Sequence, residues 1–567
     1  MSPAALLARL RVVRGTYGAD AEREKLRLLA ALDALRLPAW KQLAALHEDL
    51  LFLRAFPGSA PVHRRAVRML RAIGRRVRDL PRGQRARADD SGIAGSTTRH
   101  VFAFAVARWL ARTAPDDAEI DWRNLDDPAS LDGVISVLAA GAEAEAFDGG
   151  DFATRTWIAL ARRADARSDL QWLMESAAAT PAGLRQAADA WDAAEVPVAW
   201  RLDDSRGSVT HNVLPRIATA YRTALRRPAA DVAADILRPL PSIERLPRAR
   251  ARHVAAVAQA ALAARCREVN AMTHPNLDEV WWCDLSEGAA VAVIAIAREH
   301  RLTLETNTGY LLFANGVPVG YGGVTPLFRQ ANTGINVFDP FRGSEAAYLW
   351  TQMLRAFHTL YGSGRFVVNP YQFGAGNAEA IASGAFWFYY RLGFRPAHAP
   401  TRALAEREAR RMTADRKYRS DAKTLKVLAT GDLHLDLPGY DPSDAFDEAL
   451  LPRAGALAAR TMAREPAWSR GHAAKRIAER LAAELAIDDY ARWSSQERRG
   501  FEFLAPVVAG VPGLRDWPPA DRAATAQMLR AKGAPQERGF ALKSLRAPKF
   551  FHALADALRG ATARVAR

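Results

Sequence analysis

The stretch FRGSEAA, residues 341–347, precedes a pattern in which Trp350, Leu354, Phe357 and Tyr361 recur on one face, so a helix starts near Ser344 or Glu345. The first amides of a helix lack internal partners and lie at the positive end of its dipole, which favours a phosphate there. Gly343 and Ser344 leave the backbone approachable and Arg342 adds charge. Glu345 places a carboxylate in the first turn, where it steadies the helix and competes with an anionic ligand for the same amides. A second surface suited to anions is the series Arg64, Arg68, Arg71, Arg75 and Arg78, near helical spacing; it fits either a solvated face or contact with RNA phosphates.

Other constellations have plainer readings. Asp432, His434 and Asp436 share one face of a strand but spread over about 13 Å, so an exposed strand face accounts for them and no metal site is assigned. DDSGIAGSTTRH, residues 89–100, reads as a loop ending in a Ser or Thr cap for the helical stretch after it. No Walker A run, His-Glu-x-x-His pair or Gly-x-Ser-x-Gly elbow occurs, which removes the best support for a nucleoside triphosphatase, metalloprotease or serine hydrolase. Cys266 and Cys283 are too few for a disulfide framework and read as reduced core residues.

With 567 residues, 49% hydrophobic and 25% charged, the chain is long enough for two to four globular domains. Its longest apolar run, GAAVAVIAIA at 288–297, is half what a bilayer needs, and the N-terminus lacks a signal-peptide core, so no membrane span and a cytoplasmic location are expected. The net charge of +17 points to an acidic partner, although the arginine-for-lysine skew fits a GC-rich coding bias equally well.

The elements that must position these residues fall into three regions: helical 1–277, mixed 278–438 and helical 439–567. Leu28, Leu32 and Leu35, then Leu43, Leu46, Leu50 and Leu53, form helical stripes separated at Pro38, and 101–112, 153–163 and 216–226 look helical too. In the middle, EVWWCDL (279–285) has strand composition and 286–300 is expected to be a helix. Asn315-Gly316 predicts a tight hairpin joining 309–314 to 317–323. Strands follow at 334–340 and 365–370, then a helix over 378–391 stopped by Gly393, and a second hairpin over 424–437 turning at Thr430-Gly431. Ser494 and Glu497 form a capping box ahead of a helix carrying Phe501 and Leu504.

This central block resembles the GNAT superfamily of N-acyltransferases over roughly 305–396, on three features: the Asn-Gly hairpin with the strand after it, the junction FRGSEAA, and the ending YYRLGF (389–394). Arg342 and Ala347 match the family's Arg/Gln-x-x-Gly-x-Gly/Ala junction, with Glu345 where the central glycine belongs; Tyr389, Leu392, Gly393 and Phe394 match its Tyr-x-x-Leu-Gly-Phe. The resemblance implies an α/β (α+β) fold with a GNAT-like mixed sheet, flanked by large all-α regions. It also implies transfer of an acyl group from acetyl-CoA or another acyl-CoA to an amine on a small molecule or a protein. Arg342, Gly343, Ser344 and Ala347 would then bind the cofactor, Tyr389 would protonate the departing thiolate, and Asp339 would be the nearest general base. Two alternatives stay open: a binding or scaffold protein that keeps the fold without transfer chemistry, and an aminoacyl-tRNA-dependent transferase meeting RNA through the helix at Arg64–Arg78.

Overall fold

A computed structural model describes residues 2–143, 145, 152–179, 181–203, 205–215 and 217–560. The N-terminal leucine stripes become helices, in the order α1 (Pro3–Val13), α2 (Ala19–Ala34), α3 (Trp40–Ala55), α4 (Ala60–Arg71) and α5 (Ile73–Arg78). Leu28, Leu32, Leu43, Leu46, Leu50 and Leu53 are all buried. This region is not wholly helical. A small antiparallel sheet runs in the order β1 (Thr97–Val101), β3 (Pro197–Arg201), β2 (Ala118–Ile120). The Ser/Thr run at 96–98 therefore enters strand β1 instead of capping a helix; the next helix, Phe104–Thr113, has its Phe104 amide held by Asp192 at 2.7 Å.

The large sheet is mixed, in agreement with an α/β (α+β) class. Its strands in chain order are β4 (Ser242–Arg245), β5 (Pro275–Asp284), β6 (Ala289–Ile296), β7 (Thr308–Ala314), β8 (Val317–Leu327), β9 (Gln330–Thr333), β10 (Asn336–Val337), β11 (Arg365–Val368), β12 (Arg395–Pro396) and β13 (Leu433–Asp436). In space they run β12-β13-β11-β9-β8-β7-β6-β5-β4, with β10 also paired to β8. β9 and β11 are parallel, whereas the other described pairings in this sheet are antiparallel. The crossover between the parallel strands is the helix Ala346–Tyr361, with Trp350, Leu354, Phe357 and Tyr361 buried as their spacing requires. Because β4 pairs with β5, the sheet begins upstream of residue 278.

Asn315 (φ 48°) and Gly316 (φ 74°) make the expected hairpin turn. Three other expectations fail for physical reasons. Residues 289–296 form strand β6 and not a helix: every residue is buried, and a strand covered on both faces reads as an unbroken apolar run. Gly384 (φ 64°) splits the helix expected over 378–391 into Ala378–Ser383 and Ala385–Arg391. Residues 422–428 are a helix capped by Asp421, so β13 has no hairpin mate there and instead inserts between β11 and β12.

One buried core runs from the N-terminal helices through the large sheet, and the C-terminal helices enclose another that takes in Leu304, Leu327 and Phe328. The capping box at Ser494 and Glu497 is formed in full. Among the described residues, no helix is long and apolar enough to cross a membrane.

Candidate functional site

The start of the helix Ala346–Tyr361 is built around an ion pair that no short-range pattern announces. The Glu345 side chain is 0% exposed and that of Arg222 is 2% exposed. Arg222 donates to the carboxylate through Nε at 2.7 Å and Nη2 at 3.1 Å, and the Arg226 amide adds a third hydrogen bond at 3.2 Å. Glu345 therefore does not compete for the amides of its own helix, as a carboxylate in the first turn was expected to do; the helix has no side-chain cap from it. Burial without a partner would be prohibitive for either ion, and each is the other's partner.

The arginines arrive on a strap, residues 217–227, whose apolar spacing suggested a helix over 216–226; Arg216 lies outside the described residues. From 217 onward the strap is irregular because other elements take its polar groups. Arg222 donates from its amide to Pro57 O at 2.7 Å and from Nη1 to Glu287 O at 2.6 Å. Asn315, already required by the hairpin turn, accepts from the Ala220 amide at 2.8 Å and donates to Ala220 O at 3.0 Å. Arg226 reaches Ser286 O, Glu287 O and the Tyr348 hydroxyl, all at 3.1 Å.

With Glu345 turned away, the amides of Gly343, Glu345, Ala346, Ala347 and Tyr348 meet no acceptor among the described residues. Gly343 is exposed at φ 78°, with open space where a Cβ would stand. Ser344 is buried and its hydroxyl donates to Phe341 O at 2.6 Å, while Ala347 is partly exposed. Arg342 is exposed and pairs with Asp339 at 2.9 Å and Glu379 at 2.8 Å. Two residues assigned different roles, Arg342 for phosphate and Asp339 for proton removal, are thus brought into direct contact.

Tyr389 is 2% exposed and stands among Trp350, Phe373, Phe388 and Phe394. Its hydroxyl accepts from the Ile335 amide at 3.4 Å, and that of Tyr310 donates to Gly334 O at 2.5 Å. The two phenols hold the break at which β9 ends and β10 begins, so the strand expected over 334–340 is reduced to Asn336–Val337. Burial pushes the Tyr389 phenol well above its ordinary pKa, opposed only in part by the Ile335 hydrogen bond.

The basic face at Arg64–Arg78 is divided. The helical path breaks at Ala72 between α4 and α5, Arg68 lies 3.7 Å from Asp33, and Arg78 lies 3.1 Å from Asp203. Arg64, Arg71 and Arg75 are exposed without a carboxylate partner among the described residues. No group of three His, Cys, Asp or Glu side chains among the described residues is placed to hold a metal ion; Asp436 is taken by Arg365 through two contacts at 2.5 and 2.8 Å.

Arg222 and Arg226 are the residues that sequence reasoning missed. The available signal was a charged residue, Glu345, in a position that should be small, which implies a buried counter-ion but not where it comes from. The chain matches no family model, no curated protein and no solved structure.

Proposed function

We propose that this chain is a GNAT-like N-acyltransferase that moves an acyl group from an acyl-CoA-type thioester, such as acetyl-CoA, to an amine on a small molecule or a protein. One observation carries this reading: five amides without acceptors among the described residues, beside exposed Gly343 and Arg342, at the start of the helix that links the parallel strands β9 and β11. A helix start with unpartnered amides is suited to phosphate.

On this reading the amides of Gly343, Glu345, Ala346 and Ala347, with Arg342, hold the carrier's pyrophosphate, and buried Ser344 keeps the turn compact. The bound carrier supplies a thioester carbonyl open to attack by an amine. Asp339 accepts the amine's proton, directly or through water, and the Tyr389 hydroxyl gives its proton to the thiolate released when the C–S bond breaks. Cys266 and Cys283 form no disulfide, in keeping with activity in the cytoplasm.

Titration calorimetry with acetyl-CoA and longer acyl-CoA thioesters is expected to give micromolar binding, weakened about tenfold by Arg342→Ala through loss of a charge-assisted hydrogen bond. Absence of heat with every thioester, from folded protein, would overturn the reading.

The burial of Tyr389 favours the alternative of a non-catalytic binding protein on the same fold. Tyr389→Phe separates the two. An acid role predicts a fall in kcat of about 10²–10⁴-fold at unchanged KM, whereas a purely structural role predicts about 1 kcal/mol of lost stability and no effect on turnover. An aminoacyl-tRNA donor gains little from the arginines at 64–78, which ion pairs and the break at Ala72 divide.

A further inference from the structure

An open cleft of about 510 Å³ lies between α4 and the loop 206–213, lined by Arg54, Val67, Leu70, Arg71, Arg206, His211 and Val213. Three arginines and a histidine line it, and no carboxylate lines it among the described residues. Arg71 and Arg206 are exposed and have no hydrogen-bond or ion-pair partner among the described residues, and Arg54 donates only to a neutral acceptor, Thr210 O, at 2.9 Å. By contrast, the enclosed Arg222 and Arg14 are neutralised by Glu345 and Asp49. Here Arg54, Arg71 and Arg206 have no carboxylate partner among the described residues, and burial, followed by the charge of Arg71, lowers the Arg54 pKa to about 10.

The wall carrying Arg206 and His211 is anchored. The Thr210 hydroxyl is 3.0 Å from both the Ala94 amide and the ring of His47, and Asn212 donates to Val257 O at 2.9 Å. Val67, Leu70 and Val213 give the cleft an apolar floor. A cationic rim over an apolar floor, within the size range of small-molecule sites, selects an anion attached to an apolar or aromatic body.

We propose that this cleft is a binding site for a phosphorylated small molecule of nucleotide size, with its phosphate held by Arg71, Arg206 and Arg54 and its apolar part resting on Val67, Leu70 and Val213. An extended RNA is the poorer fit, because Arg68 and Arg78 are already paired and only Arg71 of the five arginines at 64–78 lines the cleft. The site is separate from the helix start at Arg342 and does not depend on the acyltransferase reading.

The test is a fluorescence titration of the full chain with methylanthraniloyl-ADP at low salt, competed with unlabelled ADP. Saturable binding reversed by ADP is expected, weakened about tenfold by either Arg71→Ala or Arg206→Ala, as removing one charge-assisted hydrogen bond requires. Both side chains are exposed, so these variants should fold; Arg64→Ala, which does not line the cleft, should bind as the parent does. The proposal is overturned if the probe does not bind. It is also overturned if Arg342→Ala abolishes binding while Arg71→Ala and Arg206→Ala do not, which would seat the probe at the helix start. A single-stranded RNA that binds with a steep salt dependence, is not displaced by ADP, and is weakened equally by Arg64→Ala and Arg71→Ala would overturn it as well.

Discussion

Arg222→Met is expected to destabilise the protein by about 3–5 kcal/mol, because it leaves the Glu345 carboxylate buried without a counter-ion. The single change also releases Glu287 O and loosens the strap over the helix start. Urea unfolding should show a large drop in midpoint at pH 7. Combining it with Glu345→Leu should recover most of the loss, since replacing both members of a buried pair by apolar groups is often close to neutral. Were the double variant as unstable as the single one, the pair would not be the main interaction of the strap. Glu345→Gly follows from the same geometry. It strands Arg222 and so should lower stability without improving acyl-carrier affinity, because the carboxylate it removes was not on the amides.

The stability difference between the parent and Glu279→Gln is expected to change by about 3 kcal/mol between pH 4.5 and pH 7. Glu279, fully buried on β5, accepts from the amides of Glu537 at 2.5 Å and Arg538 at 2.8 Å, and so caps the helix Arg538–Ser544. Lys532 pairs with Glu537 at 2.7 Å, and Arg301 donates to the carbonyls of Lys532, Ala534 and Pro535, so this contact clamps the C-terminal helices to the sheet. Burial raises the Glu279 pKa from 4.5 to about 7, and the two amides hold it from rising further.

A carboxyl that binds its proton more tightly folded than unfolded contributes stability fully below pH 4.5 and loses it as pH rises through 7. His47 and His434, held neutral by burial at about 3 and about 4, act in the opposite direction, losing stability as pH falls below their unfolded value. The measurement is therefore the difference between the two proteins in denaturant midpoint across pH 4.5 to 8. A flat difference would show that Glu279 does not take up a proton on folding.

Local chemistry determined a good deal of this protein. Asn315-Gly316 needed nothing but its own backbone preference to make a hairpin, and the Ser494–Glu497 box closed on neighbours three residues apart. The stripe Trp350, Leu354, Phe357 and Tyr361 and the leucines of α2 and α3 fell on buried faces because 3.6-residue periodicity is a local property. The start of the helix after Arg342-Gly343-Ser344 was legible for the same reason.

Tertiary structure decided the rest wherever a residue's partner lay far along the chain. Residues 289–296 became a strand because covering elements exclude water from both faces, and no period distinguishes such a run from a buried helix. The strap at 217–227 gave up helical spacing because its polar groups are taken by Pro57, Glu287, Asn315 and Glu345, all of them more than 60 residues away in sequence. Glu345 read as a carboxylate spoiling an anion site, and the fold made it an inward-facing ion pair that leaves the amides open. The charge on a side chain is written in the sequence, but the direction in which it points is set by whichever counter-ion can reach it once both have left water.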